Sequence, residues 1–185
     1  MRLRQLVPLL PLALAACGYN TIQRYDEQAA QAKQQIDVQL QRRADLVPNL
    51  VATVRGYAAH EEQIFTEVAR ARTTLLAANA GGNPGEQAAA NAQLTGALGR
   101  LLAIVENYPQ LRADQTFIRL QDELAGTENR IAVARQDYNS AVNIYNAYIR
   151  QFPQVITAKA TGAGPREYFQ APGEARAAPT VDFTK

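Results

Sequence analysis

From Ile22 to Leu75 the apolar residues return at steps of three, four or seven: Ile22, Tyr25, Ala29, Ala32, Ile36, Leu40, Val47, Leu50, Val54, Tyr57, Ile64, Val68, Ala71 and Leu75. Charged and Gln positions fill the gaps. This is the period of an amphipathic helix with one stripe facing a core, and it commits the chain to long helices. Composition agrees: thirty-four Ala and eighteen Gln favour helix, while aromatics at 7 % are too sparse for a sheet-rich fold.

Four prolines (Pro48, Pro84, Pro109 and Pro153) punctuate residues 19–160. The stripe keeps its register across Pro48, which suggests a kinked junction; Asp45 capping a new helix is the other reading, and the sequence allows both. Ala80-Gly81-Gly82-Asn83-Pro84-Gly85-Glu86 is the clearest loop. Asn83 suits an N-cap, Pro84 a first helical position and Glu86 a capping box. A second helix then runs to about Asn107, burying Leu94, Leu98, Leu101, Leu102 and Val105. Gly96 and Gly99 lie inside it, where each costs stability unless a neighbouring helix comes close.

After Tyr108-Pro109 a third helix is expected from about Asp114 to Gln151. Its stripe is Phe117, Leu120, Leu124, Ile131, Ala134, Tyr138, Ala141, Tyr145, Tyr148 and Phe152. Phe152-Pro153 ends it, followed by a short apolar turn at Val155-Ile156. Residues 161–185 carry Gly162, Gly164, Pro165, Pro172, Gly173 and Pro179 and read as an irregular tail. In that tail Tyr168, Phe169, Val181 and Phe183 are apolar enough to strap onto the helices; a disordered tail is the alternative. Long helices joined by short loops pack antiparallel, so residues 17–160 are expected to form an up-and-down bundle of the four-helix type.

The N-terminus is a separate matter. Arg2 and Arg4 precede an apolar stretch from Leu6 to Ala16, too short at eleven residues to span a bilayer. Residues 1–16 read as a secretory signal peptide. The stretch ends Leu14-Ala15-Ala16-Cys17, which resembles the bacterial lipobox, where a Cys is diacylated and becomes the new N-terminus. That resemblance implies a membrane anchor at Cys17. With Gly18 and not Asp after the Cys, it further implies the outer membrane, facing the periplasm. Without residues 1–16 the charge is balanced, 17 basic against 17 acidic, which argues against a nucleic-acid partner.

Candidate chemistry is thin. One Cys and one His exclude an internal disulfide framework and a Cys/His zinc site. His60-Glu61 begins like a zinc-protease motif, but Ile64 stands where the second His belongs. The glycine-rich loop lacks the Lys and Ser/Thr of a phosphate cradle. The stripe itself carries charge: Arg43 falls between Leu40 and Val47, and Glu61 between Tyr57 and Ile64. A core-facing charge is costly unless paired. Arg43, Glu61, Glu128 and Arg135 are therefore candidates for polar layers that fix helix register, the alternative being that their long side chains snorkel to water. Tyr138-Asn139 and Tyr145-Asn146 repeat at seven residues. They read either as core tyrosines with hydroxyls at the core's edge or as a face that docks a partner.

Several blocks together resemble the LemA family. They are Gln41-Arg42-Arg43-Ala44-Asp45-Leu46-Val47-Pro48-Asn49-Leu50-Val51, Gly56-Tyr57-Ala58-Ala59-His60-Glu61, Ala69-Arg70-Ala71-Arg72 and Leu101 to Pro109. Thr127-Glu128-Asn129-Arg130-Ile131-Ala132, Ala134 to Asn139, Tyr145-Asn146 and Phe152-Pro153 continue the match, which covers roughly Tyr19 to Phe183. Many members carry a membrane-spanning N-terminal helix where this chain has its lipobox-like segment. The resemblance implies a membrane-anchored, extracytoplasmic, antiparallel helical bundle with no cofactor and no catalytic residues to carry over. The expected function is a scaffold or adaptor for another cell-envelope protein. Amphipathic helices that engage lipid directly are the alternative, against which the neutral charge counts.

Overall fold

The computed structural model describes residues 9–170, with side chains from Gly18 onward. Residues 1–8, where the expected signal peptide begins, the Cys17 side chain and the tail residues Val181 and Phe183 lie outside the described residues. Within them the protein is all-helical: α1 (Leu9–Arg55), α2 (Glu62–Gly81), α3 (Pro84–Val105), α4 (Pro109–Arg112), α5 (Gln115–Tyr148) and α6 (Gln154–Thr161). The chain divides into two compact units. Among the described residues, one comprises residues 9–36 with Ala132–Tyr168; the other comprises Asp37–Ile131 with Phe169 and Gln170.

In the unit built on Asp37–Ile131, Leu40, Leu50, Val54, Val68, Leu75, Leu94 and Leu101 are all fully buried, as their spacing requires. Pro48 lies inside α1, which continues through it to Arg55, so no new helix capped by Asp45 begins there. A proline inside a helix leaves the carbonyl four residues back without its N–H partner. Here that carbonyl belongs to Ala44, and Arg72 Nε of α2 donates to it at 2.8 Å. The neighbouring helix thus supplies the missing bond. Arg72→Ala is expected to cost about 1–3 kcal/mol in the natural chain and clearly less in a Pro48→Ala background, where the restored N–H takes the carbonyl. A double-mutant cycle by urea unfolding reads this coupling; strictly additive losses would refute it.

The chain breaks instead at residues 56–61, between α1 and α2. The break displaces the stripe only beside it, since Val68, Ala71 and Leu75 beyond it keep their core positions. Tyr57, expected on the stripe, is 41 % exposed and Ile64 is half-buried, while Ala58 and Phe65 take the core positions. Arg55 bridges the break, reaching Glu62 at 3.3 Å and lying over the Phe65 ring at 4.9 Å.

α2 and α3 form a hairpin. Gly82 ends α2 at φ +72°, a conformation that favours glycine, and its N–H donates to the carbonyls of Ala78 and Asn79. Asn83 caps α3 as expected, accepting from Glu86 N at 3.0 Å. Arg100 near the end of α3 pairs with Glu67 near the start of α2, so the two run antiparallel. The glycines inside α3 do not mark a close helix approach. A methyl at Gly99 would meet nothing within 4 Å, and one at Gly96 only the Arg100 side chain at 3.8 Å. At the start of α5, Asp114 accepts from the N–H groups of Thr116 at 2.7 Å and Phe117 at 3.0 Å. The Phe117 bond and the Tyr57 hydroxyl, 2.9 Å away, hold its carboxyl below the usual range.

In the other unit, Ile22 of α1, Tyr145 of α5, Ile149 and Ala158 of α6 form the core, edged by Tyr25, Tyr148 and Ala163. Tyr25 and Tyr148 meet edge-to-face, 5.2 Å between centroids. The apolar turn expected at Val155-Ile156 is in fact the helix α6, closed by Gly162 at φ +72°. Because α5 stops at Tyr148, Phe152 leaves the stripe on which the sequence places it and is 81 % exposed.

Candidate functional site

Two polar constellations, one in each unit, hold several of the residues that sequence reading singles out. The first is centred on Arg43, which the helical period carries into the core of α1; it is 4 % exposed. Its Nη1 donates to Asn91 Oδ1 of α3 at 2.6 Å, and Nη2 donates to Thr95 Oγ1 at 3.1 Å. The guanidinium also forms an ion pair with Glu128 of α5, whose side chain is 42 % exposed. Burial pushes the Arg43 pKa below its ordinary value, and the Glu128 charge pushes back. An arginine remains charged under either influence.

A second polar layer lies nearly two turns away. Gln87 Nε2 donates to Asp37 Oδ1 at 2.7 Å and to Asn79 Oδ1 at 3.0 Å, while Asn79 Nδ2 donates to the Asp37 carbonyl at 3.1 Å. Gln87 and Asn91 are absent from the sequence-derived candidates, yet a signal existed. Extending the α3 stripe back from Leu94 by three and then four residues lands on both.

Of the four candidates for polar layers, Arg43 and Glu128 come together. Glu61 does not join them: it sits in the break before α2, where its carbonyl accepts from Ile64 and Phe65 N–H and its side chain makes no capping bond. The stripe that puts Glu61 in the core assumes an unbroken helix, which the turn at 56–61 removes. Arg135 is half-buried on α5 in the other unit. His60 is exposed within the turn.

The second constellation is the Tyr/Asn heptad. Tyr138, Tyr145 and Asn146 are buried, and Asn139 is half-buried. As a docking face for another protein this surface is already covered, because the chain's own segment 164–168 lies on it. Tyr145 OH donates to Gly164 O at 3.0 Å and Tyr138 OH to Glu167 O at 2.8 Å. Asn146 takes both backbone groups of Arg166: Nδ2 donates to its carbonyl and Oδ1 accepts its N–H, each at 2.9 Å. The Arg166 guanidinium then grips Asp26 of α1 with two bonds, at 2.7 and 3.0 Å. Arg166 holds the Asp26 carboxyl below the usual range, partly opposed by burial. Burial and the nearby Asp26 charge raise the Tyr145 pKa. Asp26 and Arg166 carry no motif that sequence reading could have found, since 140 positions separate them.

Chemically, both constellations are sets of donors and acceptors turned toward one another, with Arg43 Nε and Gln87 Oε1 left buried without a hydrogen-bond partner. Among the described residues no three of His, Cys, Asp and Glu converge as metal ligands would. α3 is long and apolar enough to cross a membrane by length and composition, but its Leu94, Leu98 and Leu101 are buried within the protein.

With this geometry in view, the comparisons with known proteins are specific. The model of the LemA family matches residues 32–183. Magnetosome proteins MamQ 1 and MamQ 2 of Paramagnetospirillum magneticum (strain AMB-1) are each 33 % identical over 182 residues, covering 86 % of this chain and 67 % of the relative. Magnetosome protein MamQ of Magnetospirillum gryphiswaldense (strain MSR-1) is 31 % identical over 174 residues, covering 82 % of this chain and 64 % of the relative. The chain thus spans about two thirds of the length of these relatives.

Proposed function

The chain belongs to the LemA family, and from that premise we propose that it is a lipid-anchored helical scaffold or adaptor of the cell envelope that binds another envelope protein without catalysis. The anchor is Cys17, acylated after removal of residues 1–16, and the location is the outer membrane facing the periplasm. The observation that carries the reading is the use to which the polar core is put. Arg43, Asn91, Thr95 and Glu128 join helices, and Tyr138, Tyr145 and Asn146 hold the chain's own backbone. Groups engaged in this way define a rigid surface. The pairing of Asp37 with Asn79, Ala44 with Arg72 and Arg55 with Glu62 supports antiparallel packing of α1 against α2. Arg43 with Glu128 and Gln39 with Arg130 support the same for α1 against α5. These directions favour the up-and-down, four-helix arrangement. The magnetosome proteins that the chain resembles are named for a structure and not for a reaction, which also favours a non-enzymatic role.

The anchor is tested by fractionation and mass analysis. The mature N-terminal peptide is expected to carry diacylglycerol on Cys17. Cys17→Ser is expected to abolish that modification and prevent processing at residue 16. An unmodified thiol at position 17 in membrane-associated natural protein would defeat the reading.

A further inference from the structure

One surface does not belong to either polar constellation. α6 is fixed on its inner side, where Thr157 and Ala158 are buried and Ala158 packs with Ile22, Tyr145 and Ile149. Its outer side and the turn before it present Phe152 at 81 % exposure and Ile156 at 58 %, two large apolar groups four residues apart. Phe152 is the most exposed large apolar side chain among the described residues.

Its position gives the pair a meaning. α6 rests directly against the first described side-chain position of α1: a Cβ on Gly18 would lie 3.4 Å from Gln154 Cγ and 3.7 Å from Thr157 Oγ1. Gly18 follows Cys17, so the apolar pair projects from the helix packed beside the attachment point. Tyr19, 44 % exposed, is the next residue along α1. The charges in and next to α6 are basic: residues 146–163 contain Arg150 and Lys159 and no Asp or Glu, while Asp26 of α1 is paired with Arg166. Basic residues flanking exposed aromatic and aliphatic side chains are the pattern of a surface that rests in a lipid headgroup layer. The overall neutrality of the chain conceals this local excess.

The geometry points to the α5–α6 corner as a lipid-contacting foot: Phe152 and Ile156 insert into the interfacial layer of the bilayer that holds Cys17, with Arg150 and Lys159 facing anionic headgroups. The inference rests on the anchor proposed above and adds an orientation to it. The foot fixes which end of the chain meets the membrane and leaves the opposite faces turned away from it.

The chain contains no Trp, so a single introduced indole reports without background. Phe152→Trp, Ile156→Trp and Val133→Trp are made in the full, acylated protein and reconstituted in phosphatidylethanolamine–phosphatidylglycerol vesicles containing lipids brominated near the headgroup. Val133 is 59 % exposed on α5, roughly 22 Å of helix before Tyr148. The emission of Phe152→Trp and Ile156→Trp is expected to shift to the blue and lose intensity to bromine, while that of Val133→Trp does neither. Helicity by circular dichroism confirms that each variant folds, and mass analysis confirms acylation. Acylated, vesicle-bound protein in which Phe152→Trp and Ile156→Trp both stay unquenched overturns the foot and leaves the anchor standing. A blue shift that depends on protein concentration but not on bromine overturns it in favour of a second copy. A bare Cys17 with no vesicle binding overturns the anchor, and the foot with it.

Discussion

Arg43→Ala is expected to destabilise the protein by about 3 kcal/mol, since removing one member of a buried charged set strands the others. The side chain is 4 % exposed, and its loss opens a void between α1 and α3 while leaving Asn91 Oδ1 without its donor at 2.6 Å. Glu128 softens the blow. At 42 % exposure its carboxylate can turn to water, so the cost stays at the lower end of the range for broken buried pairs. Three companion variants separate charge from packing. Glu128→Gln should cost about 1 kcal/mol, less than Arg43→Ala, because the Glu128 side chain is half-buried and its amide replacement still accepts from the guanidinium. Arg43→Lys should recover only part of the loss, as one ammonium cannot reproduce the fork to Asn91 and Thr95. Arg43→Met with Asn91→Leu should come closest to the natural stability, because an apolar pair strands no polar group at Arg43 or Asn91. Urea unfolding followed at the helical band measures all four; a loss below ~1 kcal/mol for Arg43→Ala would show that the layer does not hold the helices.

The success and failure of sequence reading around this layer have one cause. Helical period alone identifies Arg43 as inward-facing, because Leu40 and Val47 bracket it at three and four residues. The same arithmetic misplaces Glu61, because the stripe happens to step by three from Val54 to Tyr57 and by seven to Ile64. A turn at 56–61 inside an apparently unbroken period leaves no trace in spacing. At Pro48 the unbroken register favours a continuing helix, and Arg72, distant in sequence, supplies the bond that makes the proline tolerable inside α1. Asn91 and Gln87 were legible in principle, being polar residues on the α3 stripe, but an Ala-rich helix gives that stripe weak contrast. Of the tyrosines, burial of the rings with hydroxyls at the core's edge is the reading that holds. That the tail straps onto the helices is legible from its apolar residues, of which Phe169 is 3 % exposed and Tyr168 39 %. The backbone bonds by which 164–168 covers the tyrosines are not legible, since that segment has no period of its own.

That segment yields the second large effect. Asn146→Ala is expected to free residues 164–168 from α5 and to speed tryptic cleavage after Arg166 by roughly 30- to 100-fold, the equivalent of about 2–3 kcal/mol. Asn146 acts as a peptide group would in a ladder, meeting the N–H and the carbonyl of one residue at once. Nothing else in the constellation replaces both bonds. When opening and closing are fast relative to cutting, the cleavage rate follows the open population, so the rate ratio reads the free-energy difference directly. Tyr145→Phe removes the bond to Gly164 O and the hydroxyl's bond with Asp26 but leaves both Asn146 bonds in place, and should act several-fold more weakly. The Asp26–Arg166 pair adds a pH dependence with a definite sign. Asp26 has its folded-state pKa lowered by Arg166, so its contribution is complete above the ordinary carboxylate pKa and fades as pH falls through the depressed folded value. Tyr145 has its pKa raised, so its contribution is complete below the ordinary phenol value and fades as pH climbs through the folded one. Hydrogen exchange at the Arg166 amide, corrected for intrinsic rates, should therefore show a protection plateau through neutral pH with losses in strong acid and strong alkali. Asp26→Asn should lower the plateau and remove the acid limb together. The pair is about one-third exposed, so the lowering is modest beside that of Asn146→Ala. An unchanged acid limb in Asp26→Asn would mean that another carboxylate governs the strap.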